Sequence, residues 1–110
     1  MSEFVSVGDK KGFRAQWTTG VNVQGQRICI ARIKDEFFAF DDQCTHAEAA
    51  LENVEIDGEE IDCPLHGAKF SVKSGQALTL PAVKPIRTHE IKVEGETLFV
   101  KLNEQRLIEE

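Results

Sequence analysis

Two short segments carry the residue types that could do chemistry: Cys44-Thr45-His46 and Cys63-Pro64-Leu65-His66-Gly67. Each offers one thiolate and one imidazole. A lone cysteine or histidine is usually a packed core residue, but paired C-x-H and C-x-x-H segments point to a metal centre. Zinc would accept the set in a tetrahedral site. The common Cys₂His₂ zinc modules, however, place both cysteines in one segment and both histidines in the other. A mixture within each segment suits a dinuclear [2Fe–2S] centre, with both thiolates on one iron and both imidazoles on the other. Structural zinc stays open as the alternative.

The remaining reactive side chains have plainer readings. Cys29 sits in an isoleucine-rich run and reads as a packed thiol. His89 shares strand parity with Ile91 and Val93, which gives it a structural place at the core edge or surface. Trp17 could pack at the base or meet a partner, and Glu59-Glu60 reads as a solvated hairpin. A non-haem iron oxygenase site needs two further histidines and a carboxylate. Only His89 is left once His46 and His66 are assigned, so the chain is expected to carry electrons rather than to be an enzyme.

The elements that must position these segments are strands. Phe4–Val7, Arg27–Ile33 and Glu36–Phe40 are rich in β-branched and aromatic residues, with Lys34-Asp35 turning the second run into the third. Ile91 and Val93, the Glu94-Gly95-Glu96 turn, and then Leu98, Val100 and Leu102 read as an antiparallel hairpin with one buried face. No long segment has a helical period. The fold class is therefore all-β, an antiparallel sandwich or barrel.

One stretch breaks this pattern. From about 41 to 75 the chain holds all but one of its cysteines and all but one of its histidines, with little alternation. Within it Ile56–Ile61 reads as a hairpin turning at Asp57-Gly58. The expected organisation is a single domain over 1–110, with a base at about 1–40 and 76–110 and an inserted cluster-binding subdomain at about 41–75. The polar tail 103–110 reads as a helical turn or a fraying end.

Length and charge narrow the function further. The chain of 110 residues suits one domain. Its formal net charge is −6 with no basic block, which argues against nucleic-acid or anionic-membrane binding. The N-terminus lacks the pattern of a signal peptide, and an odd number of cysteines, 3, fits a reducing compartment. The expected location is the cytoplasm.

The two ligand segments strongly resemble the Rieske motif. The likeness continues through Ala68-Lys69-Phe70, Ser74-Gly75-Gln76-Ala77 and Leu80-Pro81-Ala82. In size and sequence the chain is similar to the stand-alone Rieske ferredoxins of bacterial aromatic-ring-hydroxylating dioxygenase systems. That resemblance implies a Rieske-like β base carrying the cluster subdomain. It implies one [2Fe–2S] cluster, with Cys44 and Cys63 on a buried iron and His46 and His66 on an outer iron near the surface. It also implies an NAD(P)H-dependent ferredoxin reductase and a terminal oxygenase as partners of a monomeric carrier. A fixed Rieske subunit of another oxidoreductase, like a nitrite-reductase small subunit, is the alternative within the family.

Several positions depart from the respiratory members. Their extra cysteine pair is replaced here by Glu48 or its neighbours and by Leu65, and the serine and tyrosine that donate to sulfur are matched by Ala68 and Phe70. Ala47 stands where these ferredoxins often have glycine. Pro81 resembles the family's proline loop over the cluster, and Ala47, Leu65 and Pro81 are the apolar candidates for docking.

Overall fold

The structure is a computed structural model, and it describes residues 3–44, 49–64, 68–79 and 85–103. Among the described residues, eight strands follow in order: β1 (Phe4–Asp9), β2 (Trp17–Val23), β3 (Gln26–Ile33), β4 (Glu36–Asp41), β5 (Glu60–Asp62), β6 (Lys69–Ser71), β7 (Thr88–Glu94) and β8 (Thr97–Lys101). Six of them form one antiparallel sheet in the order β1-β8-β7-β4-β3-β2, and β5 and β6 pair separately. The large sheet curls until its outer strands β1 and β2 approach each other without pairing. The all-β base is thus one open, barrel-like sheet rather than two stacked ones.

Turn chemistry sets the registers. Gln24 and Gly25 link β2 to β3 with φ of 51° and 87°, the double positive φ of a two-residue type I′ hairpin. Lys34-Asp35 joins β3 to β4 as expected, with Lys34 at φ 57°. Gly95, at φ 65°, opens the turn between β7 and β8.

β3 and β4 are the wall between two cores. Ile28, Ile30, Phe37 and Ala39 face the barrel interior with Phe13, Val23, Leu98, Val100 and Leu102. The opposite parity, Cys29, Ala31, Ile33 and Phe40, faces a second core with Leu51, Ile56, Ile61, Ala68 and Phe70. Burial on both faces explains why β3 reads as a continuous apolar run. Each fully buried side chain of that size contributes about 1.5–3 kcal/mol.

Sequence and structure differ at particular places. β2 has no counterpart in the sequence reading, because Gly20 and Asn22 interrupt its apolar alternation. The β7–β8 hairpin forms, but its buried face belongs to Leu98, Val100 and Leu102. Ile91 is half-buried and Val93 is 42% exposed, since β7 presents that end to solvent. In the 41–75 stretch, Asp57 and Glu60 exchange backbone bonds around Gly58 at φ 65°, the expected hairpin turn. The chain continues past β6 to Ala77, which bridges to Phe70, and Leu78, whose N–H donates to Lys69 O. The tail from 104 onward lies outside the described residues.

Candidate metal centre

Two loops deliver the cysteines. β4 ends at Asp41, and Cys44 follows it into a turn closed by the Cys44 N–H donating to Ala49 O at 2.9 Å. Cys63 follows β5, and its N–H donates to Ala68 O at 2.7 Å. Both cysteines therefore bond the carbonyl at the same spacing along the chain. Cys44 is 2% exposed and Cys63 1%, and both belong to the core cluster of Leu51, Ala68 and Phe70.

The second loop is gripped by the β5–β6 ladder, where Asp62 pairs with Lys69 and the Lys69 ammonium lies 2.8 Å from the Asp62 carboxylate. The first loop is gripped from the base. The Thr18 hydroxyl donates to Leu51 O at 2.6 Å and accepts the Val54 N–H at 3.0 Å. The segment 53–56 then runs beside β2: the Thr18 N–H donates to Val54 O, Asn53 N–H to Thr18 O, and Ile56 N–H to Gln16 O. This covers an edge strand that would otherwise expose unpaired backbone groups.

His46 and His66 lie outside the described residues, as do Ala47, Glu48, Leu65, Gly67 and the Leu80-Pro81-Ala82 segment. Ala68 and Phe70 are fully buried. Trp17 is half-buried in β2, with the Arg14 guanidinium 4.3 Å from its ring centre. Cys29 is buried and its thiol donates to Asp42 Oδ1 at 3.2 Å, the packed role read from sequence. His89 is buried and structural, with Nε2 2.8 Å from Asp41 Oδ1. Sequence reasoning missed Asp42 and Thr18, which touch the first loop's backbone. A carboxylate just before a ligand segment was the available signal for Asp42. Thr18 gave none.

A buried thiol pair from two separate loops, meeting in one apolar core, fits an iron–sulfur cluster. Such a group needs thiolate donors, low solvent access and loop backbone close by. The family model of the Rieske [2Fe–2S] domain matches residues 3–90. The chain belongs to this Rieske family. It is 36% identical over 84 residues to the ferredoxin component of the naphthalene 1,2-dioxygenase system of Pseudomonas aeruginosa, covering 76% of this chain and 81% of that one. Among solved Rieske structures, the ferredoxin of carbazole 1,9a-dioxygenase from Nocardioides aromaticivorans superposes with a TM-score of 0.83 at 32% identity, over 88% of this chain and 95% of that one. A complex of reduced oxygenase and oxidized ferredoxin in carbazole 1,9a-dioxygenase matches with a TM-score of 0.82 at 30% identity, over 88% and 91%. No helix among the described residues is long and apolar enough to cross a membrane.

Proposed function

We propose that this chain is the ferredoxin of a multicomponent ring-hydroxylating oxygenase system. It takes single electrons from an NAD(P)H-dependent reductase and hands them to a terminal oxygenase, acting as a monomer in the cytoplasm and performing no substrate chemistry itself. Cys44 and Cys63 hold the inner iron of a [2Fe–2S] cluster, and His46 and His66 hold the outer one. The observation that carries this reading is the burial of Cys44 and Cys63 in one core, each on a loop closed by the same backbone bond. The ferredoxin relatives support the partners.

The bound cluster supplies a one-electron couple. The chain's residues hold it, exclude water and fix the loops. Phe40, Leu51, Ile61 and Phe70 keep solvent from the cysteine side, which favours electron exchange from the histidine side. Loops pinned by backbone bonds change little between redox states, which lowers the reorganisation each transfer requires.

Reconstitution tests the proposal. A candidate reductase and terminal oxygenase, mixed with NAD(P)H and aromatic substrate, should form product only when this chain is added, in proportion to its concentration. Equal product formation without it would overturn the assignment.

A further inference from the structure

The two ligand segments are anchored differently. The Cys63 segment leaves and re-enters the β5–β6 ladder, so Asp62 and Lys69 face each other directly beside Cys63 and Ala68. The Cys44 segment leaves β4, and among the described residues of its returning limb, 49–54, no strand forms. Where a ladder would close its base there is one buried carboxylate instead.

The Asp42 side chain is 2% exposed. Its Oδ1 accepts the Leu51 N–H at 2.7 Å, the Glu52 N–H at 2.9 Å and the Cys29 thiol at 3.2 Å. Arg27 Nη2 lies 3.8 Å from Oδ2, and the Asp42 N–H donates to Arg27 O at 3.2 Å. One residue thus ties the start of β3 and the exit of β4 to the returning limb of the first loop. Leu51 is held at both backbone groups, its N–H by Asp42 and its carbonyl by the Thr18 hydroxyl. A buried carboxylate is costly unless donors surround it, and these donors converge from separate elements.

We propose that Asp42 is the positioning residue of the first ligand segment, its carboxylate closing the loop that carries Cys44 and His46 as the β5–β6 ladder closes the other. This rests on the reading of Cys44 and His46 as ligands. The required property is acceptance by Oδ1 of the Leu51 and Glu52 N–H groups, which an asparagine oxygen retains and an alanine does not. Outer partners of ligand segments typically change metal affinity by 10–100-fold.

The test is iron release from purified holoprotein to a strong chelator, followed by loss of visible absorbance. Wild-type protein must first contain iron and sulfide; if it contains neither, the ligand reading fails before any variant is compared. Given a loaded wild type, Asp42→Ala should release iron at least about tenfold faster. Asp42→Asn should stay within about twofold of wild type, because it keeps the acceptor. Val100→Ala, a cavity in the barrel core on the other side of β3 and β4, serves as a control for general destabilisation. Compared at temperatures equally far below each variant's own melting point, it should not speed release. Should Asp42→Ala fail to fold, Thr18→Val removes the hydroxyl from Leu51 and should speed release severalfold. Wild-type release rates in Asp42→Ala, or in Thr18→Val where that variant stands in, would overturn the proposal. So would a failure of asparagine to rescue, or equal release from Val100→Ala.

Discussion

His89 Nε2 lies 2.8 Å from Asp41 Oδ1, and the same ring accepts the Asn103 backbone N–H at Nδ1, also at 2.8 Å. An accepting Nδ1 places the proton on Nε2, which donates to Asp41. The ring therefore joins the end of β4, the start of β7 and the chain just past β8. β4 and β7 share only the pairs Ala39 with His89 and Phe40 with Thr88, so this side-chain link reinforces the shortest seam of the large sheet. Arg87 adds its Nε at 3.2 Å from Asp41 Oδ2.

Acid stability should follow from that link. Burial works against the ionised Asp41 carboxylate, but the His89 hydrogen bond and the Arg87 guanidinium outweigh it and hold the carboxyl below its ordinary value. A depressed carboxyl adds stability above the unfolded pKa of about 3.9 and loses it as pH falls through the folded value. Asp41→Asn should thus be less stable than wild type at pH 7, with the gap narrowing below about pH 4. Urea midpoints at both pH values measure this. A gap that stays constant into acid would contradict it.

Cys29 should be chemically silent. Burial, then the charge of Asp42 and the hydrogen bond to it, push its thiol far above the ordinary range. Native protein should not label at Cys29 with iodoacetamide until it is unfolded. Cys29→Ser, whose hydroxyl can still donate to Asp42, should retain the full iron content, about two per chain. Halved iron in that variant would make Cys29 a ligand.

Ala68 and Phe70 occupy the core that holds both cysteines, yet neither brings a hydroxyl. Hydrogen bonds to cluster sulfur stabilise the reduced state and raise the potential. The potential should therefore lie at the low end of the Rieske range, near about −150 mV, and Ala68→Ser should raise it. Voltammetry on both proteins decides. A wild-type value above about +100 mV would show that these missing donors do not set it.

Two glycines make a stability test of backbone geometry. Gly25 and Gly75 have φ of 87° and 77°, so alanine at either incurs left-handed strain of about 1–2 kcal/mol. At Gly25 the added methyl meets nothing, whereas at Gly75 it runs into the Ile86 backbone carbonyl. That contact sits beside the Ile86 N–H bond to Gly75 O, at 2.7 Å. Gly75→Ala should cost at least about 1 kcal/mol more than Gly25→Ala by urea unfolding. Equal losses would place the tight contact elsewhere.

Legibility in the sequence tracked the kind of interaction involved. β3, β4 and their turn were visible because apolar runs and turn residues are local signals. β2 was hidden, since Gly20, which lies under the Arg27–Glu52 ion pair, and Asn22 break its apolar alternation, and its pairing partners are set by contacts distant in sequence. The Ile91 and Val93 parity suggested a buried face, but alternation cannot say which end of a strand outruns the core. The cysteine segments were plain from residue type and spacing. The supports of the first loop were not, because Asp42 and Thr18 act through backbone groups distant in sequence.

In the proposed carrier, two imidazoles and two thiolates hold one [2Fe–2S] cluster that accepts one electron. Electron paramagnetic resonance on the dithionite-reduced protein, with hyperfine spectroscopy for nitrogen, tests this most directly. A signal of about one spin per chain coupled to two imidazole nitrogens is expected, and it should be lost in both His46→Ala and His66→Ala. A colourless protein holding zinc, or a cluster signal without imidazole nitrogen coupling, would contradict it.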